Sequence, residues 1–93
     1  MTVKKYLEMF REMRVKPRVI CKDGYSVSIQ NSKYHHCKLD SVELGFPSEL
    51  EDELSVYAED ENTTETVFDY VPLETIEKVV AKHGGIKNVK LYD

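Results

Sequence analysis

Eight residues, DGYSVSIQ from Asp23 to Gln30, do most to limit what this chain can become. Asp-Gly suits a two-residue hairpin turn of type I′, in which both central residues take positive φ. Behind it Tyr25, Val27 and Ile29 alternate with Ser26, Ser28 and Gln30, so one side of the strand is apolar and the other polar. RVIC, just before the turn, supplies the first arm, and such a half-apolar sheet needs a second layer to cover it.

The remaining segments supply further strands and that cover. YHHCKL at 34–39, VELGF at 42–46 and TVFDYVP at 66–72 read as more strands. Residues 2–14 read as an amphipathic helix with Val3, Tyr6, Leu7, Phe10 and Met13 in one stripe, Thr2 as N-cap and an end ahead of Pro17. Ser48-Glu49-Leu50-Glu51 has the form of a capping box, predicting a middle helix with Leu50, Leu54, Tyr57 and Ala58 on one face. A last helix carries Leu73, Ile76, Val79 and Val80 and stops at Gly84-Gly85, with His83 complementing its dipole. The expected fold is therefore α+β. It has an antiparallel sheet of three to five strands, an N-terminal helix, an acidic middle helix and a C-terminal helix. The 93 residues make a single domain, with 86–93 either an edge strand or a loose tail.

Charge is distributed unevenly. From Asp40 to Glu77 there are thirteen carboxylates and no lysine or arginine, whereas residues 1–39 carry nine basic and three acidic side chains. On an α-helix, Glu49, Asp52, Glu59 and Asp60 fall on the side away from Leu54, with Val56 among them, and Glu61 follows. Glu49 and Glu53 repel by about 0.2–0.5 kcal/mol, and each acid crowding the helix C-terminus adds about 0.3–1 kcal/mol when exposed. Such a surface can imitate the phosphates of a nucleic acid in a basic groove, with Glu49, Asp52, Val56, Glu59, Asp60 and Glu61 as contacts. The competing reading is an acidic run neutralised by the chain's own basic half. A net charge of −4 argues against direct nucleic-acid binding.

Cys21, His35, His36 and Cys37 are the clustered metal-ligand types, but the spacing lacks a C-x2-C knuckle. With two-residue turns at Asp23-Gly24 and Asn31-Ser32, Ser26 pairs with both Cys21 and Cys37, which are then two strand spacings, about 10 Å, apart. A zinc site at Cys21, His35 and Cys37 is a weak expectation, and no other cofactor is expected. No nucleophile motif, Walker loop or dinucleotide fingerprint is present, so the chain is read as a non-enzyme. No apolar run is long enough to span a membrane, and Lys4, Lys5 and Glu8 interrupt any signal-like block, which points to the cytosol.

The segments MTVKKYLEMF, C-x-D-G-Y-S-x-S-I-Q at 21–30, His-x-Cys at 35–37, GFPSELEDEL, YAED, TVFDYVP and IEKVVAKHGG together resemble a group of short, uncharacterised phage and prophage proteins of gut bacteria. The resemblance spans most of the chain up to Gly85. It implies a phage setting in a bacterial host cytosol, where small proteins of this size often block a host enzyme or defence system. Joined to the acidic run, it leads to the expectation of a binding protein that inhibits a host defence factor. The sharpest version is an anti-CRISPR acting as a nucleic-acid mimic on a basic, nucleic-acid-binding host protein. Two alternatives are a sponge for a signalling nucleotide, using Arg11, Arg14, Arg18, Lys22 and the tyrosines, and a zinc-stabilised structural domain.

Overall fold

The structure, a computed structural model, describes residues 1–30, 41–59 and 64–91. Helix α1 (Val3–Met9) leads into strands β1 (Arg18–Cys21), β2 (Ser26–Gln30) and β3 (Ser41–Gly45). A 3-10 helix (Asp52–Tyr57) follows, then β4 (Val67–Pro72), α2 (Leu73–Lys82) and β5 (Ile86–Lys90). All five strands form one antiparallel sheet in the order β4-β3-β2-β1-β5, a meander closed on its far side by the last strand. The α+β class and both terminal helices thus follow the sequence pattern. The tail joins the sheet as an edge strand, with Val89 opposite Val19. YHHCKL lies outside the described residues.

Alternation decides which side is covered. Val19, Val27, Ile29 and Leu44 are fully buried on one face, under Val3 and Tyr6 of α1 and Ile76 and Val79 of α2. Burying a side chain of this size is worth about 1.5–3 kcal/mol, so the apolar half of each strand fixes the register. The opposite face presents half-buried Arg18, Ile20, Ser26, Ser28 and Gln30.

Three expectations are corrected. The hairpin turn is not type I′, because Asp23 keeps negative φ and Gly24 alone is left-handed, at +97°. Gly24 N–H donates to Cys21 O at 3.0 Å and Cys21 N–H to Tyr25 O at 2.7 Å, giving a three-residue loop with Ile20 opposite Ser26. The Asp23 side chain causes this by accepting the Tyr25 amide at 2.9 Å, which holds Asp23 in an Asx-turn. A register shifted by one residue moves Cys21 to the core face, 1% exposed, instead of the Ser26 face.

Second, α1 ends at Met9 rather than 14. The chain must turn back so that the Lys16 amide reaches Gln30 Oε1 at 2.8 Å and Gln30 Nε2 reaches Lys16 O at 3.0 Å. The Tyr6 hydroxyl pins the same return by bonding Pro17 O and Ile29 O. Met13 is left partly exposed, while Leu7 and Phe10 still pack on the core.

Third, the middle helix is a short 3-10 piece without the expected capping box. Ser48 instead continues the β3 side of β2, the central strand: its Oγ accepts the Ser26 amide at 2.9 Å and its amide donates to Ser26 O at 2.7 Å. A segment of like charges gains little from α-helical i,i+4 pairing, so tertiary anchors set its shape. Leu54 is one anchor, fully buried, whereas Leu50 is 52% exposed and is not on the core side as expected.

Candidate functional site

The second anchor of the 3-10 helix, Glu51, leads to a polar cluster around His83. Gly85 N–H donates to Val80 O at 2.9 Å and Gly84 N–H to Ala81 O at 3.0 Å, the paired bonds of a left-handed helix stop. Both glycines have positive φ, which a side chain would oppose. This stop sets His83 as the C-cap of α2, and its ring turns inward, leaving the residue 6% exposed. The loop also grips the β1–β2 turn, with Lys22 N–H to Gly85 O at 3.1 Å and Asp23 N–H to His83 O at 3.3 Å.

His83 then joins three distant parts of the chain. Its Nδ1 donates to Asp23 Oδ2 at 2.6 Å, its Nε2 bonds Glu51 Oε1, and Glu49 Oε1 stands 3.8 Å from the same nitrogen. Lys82 Nζ bonds the other oxygen of Glu51 and reaches Glu53 Oε2 at 3.0 Å. Tyr25 lies flat on the imidazole, with ring centroids 4.1 Å apart and planes 6° from parallel. Its hydroxyl is buried and has no hydrogen-bond partner among the described residues.

Two carboxylates facing the two ring nitrogens select the imidazolium, which alone can donate to both. Burial works against that charge, but the bonds to Asp23 and Glu51 outweigh it and raise the His83 pKa. Asp23 is lowered by the Tyr25 amide and then by His83, and Glu53 by Lys82. Lys82 is raised by Glu51 and Glu53. Burial, then the charges of Glu51, Cys21 and Glu49, push the Tyr25 phenol up. Cys21 is pushed up to about 11 by burial and by Asp23. A thiol so placed is protonated at neutral pH and a poor nucleophile.

The expected partner-binding residues are spread along this segment rather than gathered on one α-helical face. Glu49 leans toward His83, and Glu53 is tied to Lys82. Asp52 and Val56 are exposed on the 3-10 helix, Val56 at 80%. Glu59 lies past its end, its amide donating to Val67 O at 3.0 Å. A side-chain hydrogen bond to Asp69, that residue's charge, burial and the charge of Glu43 raise the Glu59 pKa. Among the described residues neither Asp52 nor Glu59 meets a lysine or arginine. Asp60 and Glu61 lie outside the described residues. So do His35 and Cys37 of the expected zinc set, whose third member, Cys21, is in the core.

Of the groups expected of a nucleotide sponge, Arg18, Tyr25 and Tyr70 lie within the described residues and Tyr34 lies outside them. Arg18 donates to Ser26 Oγ, Ser26 O and Phe46 O, Tyr25 is stacked on His83, and Tyr70 lies on β4, three strands from β1. The His83 cluster itself was invisible to sequence reasoning. Asp23, Glu51 and His83 are separated by 60 and 32 positions, and the one local signal was a histidine beside a double-glycine helix stop. No helix among the described residues is long and apolar enough to cross a membrane. Comparison of the chain with protein-family models, with curated proteins and with solved structures finds no match.

Proposed function

We propose that this chain is a small binding protein that inhibits a basic, nucleic-acid-binding host factor, in the manner of a phage antagonist of host defence. An anti-CRISPR that mimics nucleic acid is the sharpest form of the reading. The observation that carries it is Val56, 80% exposed beside exposed Asp52, which meets no lysine or arginine among the described residues. An exposed apolar side chain among unneutralised acids fits the centre of a contact with a basic groove. Glu51 and Glu53 are held by His83 and Lys82, and the contact surface is the expected one of Glu49, Asp52, Val56 and Glu59, with Asp60 and Glu61 following in sequence.

The mechanism is occupancy. Carboxylates take the place of phosphates, steer the encounter and lose grip as salt screens them. The test is capture from bacterial lysate on immobilised protein at low and high salt. The comparison is with a variant carrying Asp52→Lys, Glu59→Lys and Asp60→Lys. A partner held at low salt, released by salt or excess duplex DNA and lost in the triple variant is the expected result. A partner held equally by that folded variant rejects the reading.

A further inference from the structure

The His83 cluster is not explained by partner binding, since its central groups are buried. Four carboxylates (Asp23, Glu49, Glu51 and Glu53) surround two cations, Lys82 and His83, so the cluster carries a surplus of negative charge. Glu51 and His83 are its buried, mutually paired centre, whereas Asp23, Glu49 and Glu53 are half exposed, so the surplus lies at a rim that a cation can reach. Single donor atoms of Glu49, Glu51 and His83 all lie within 4.8 Å of one another. Donors held at about 2.0–2.1 Å in a tetrahedron sit about 3.4 Å apart, so Glu51 Oε1 and His83 Nε2, now in hydrogen-bond contact, part on binding while the exposed Glu49 closes in from 3.8 Å.

A second feature is independent of the carboxylates. Tyr25 is 3% exposed and stacked on the His83 ring, yet its hydroxyl has no partner among the described residues. A buried hydroxyl left unpaired costs about 1–3 kcal/mol. A cation in the cluster brings coordinated water, which is the kind of partner this hydroxyl lacks. Asp23 completes the arrangement, because a carboxylate on Nδ1 is the outer partner that orients a metal-binding imidazole through its Nε2.

We propose that Glu49, Glu51 and the Nε2 of His83 form a site for one first-row divalent cation, zinc foremost, with Asp23 orienting the imidazole. The ion replaces the proton between Nε2 and Glu51, and Lys82 keeps the outer Glu51 oxygen. One imidazole nitrogen with carboxylate oxygens suits zinc better than the larger oxygen-only cages of calcium. On this reading Glu49 serves the ion, and Asp52, Val56 and Glu59 are left to the partner. The ion is measured without any partner, so failure of either reading leaves the other standing.

The test is calorimetric titration of the chelator-treated full chain with Zn²⁺, and optical titration with Co²⁺. One equivalent should bind, raise the melting temperature and give a cobalt spectrum free of thiolate charge transfer. Asp23→Asn should weaken binding roughly 10–100-fold. Glu49→Gln, at an exposed position that leaves the fold intact, should weaken it at least as much. Absence of saturable binding, full binding by Glu49→Gln, or a thiolate band placing the ion on cysteines would each overturn the proposal.

Discussion

His83 shows how one side chain can depend on charges far away in the chain. Removing it leaves Glu51 buried with only Lys82 as partner and strips Asp23 of its bond. Breaking a buried pair from one side costs about 3–5 kcal/mol, so His83→Ala should lose that much in urea unfolding at pH 7. A loss under about 1 kcal/mol would mean the cluster is merely solvated. Glu59 and Asp69 make the opposite case. Glu59 has a folded pKa above its ordinary 4.5, so the stability from the shared proton is fully present below pH 4.5 and lost as pH rises through the raised value. Asp69→Asn removes the repulsion. It should raise the melting temperature at pH 7 and give no gain over the parent near pH 3, as scanning calorimetry at the two pH values would show.

At the scale of elements, the stop of α2 does more than end a helix. Gly84 and Gly85 share positive φ, but they differ in surroundings. A Cβ on Gly84 would stand 3.0 Å from the Lys22 Cβ, while one on Gly85 would meet nothing within 4 Å. A left-handed residue with a side chain costs about 1–2 kcal/mol, so Gly85→Ala should lose about that amount. Gly84→Ala should lose more, because the β1–β2 turn must also give way. Thermal melts of the two variants decide, and equal losses would deny the close approach. The 3-10 helix obeys a related logic. Leu54, Glu51 and Glu53 hold it to the core and to α2, and the three-residue period leaves Asp52 and Val56 facing water.

Across the whole molecule, the acidic stretch is divided between inside and outside. Glu77 of α2 accepts the amides of Val3 at 2.7 Å and Lys4 at 3.2 Å, so it caps α1 from the other end of the chain. Glu77→Ala should therefore cost about 0.5–2 kcal/mol in chemical denaturation, as loss of an N-cap does. Glu51 and Glu53 meet Lys82, while among the described residues Asp52 and Glu59 meet no lysine or arginine, so neither full display nor full neutralisation describes the run. Much of the fold was legible because it rests on short-range pattern. Alternation in Tyr25, Val27 and Ile29 named a strand and its buried side, and Leu73 to Val80 followed by two glycines named a helix and its stop. Spacing did not reveal that Asp23 would hold its turn in another geometry, slip the register by one and carry Cys21 into the core. Nor did it show that Asp23, Glu51 and His83 would meet, since hydrogen bonds between residues dozens of positions apart leave no periodic trace. Local preference along the chain determined the elements, while only the packing of those elements decided which charges face each other and which face water.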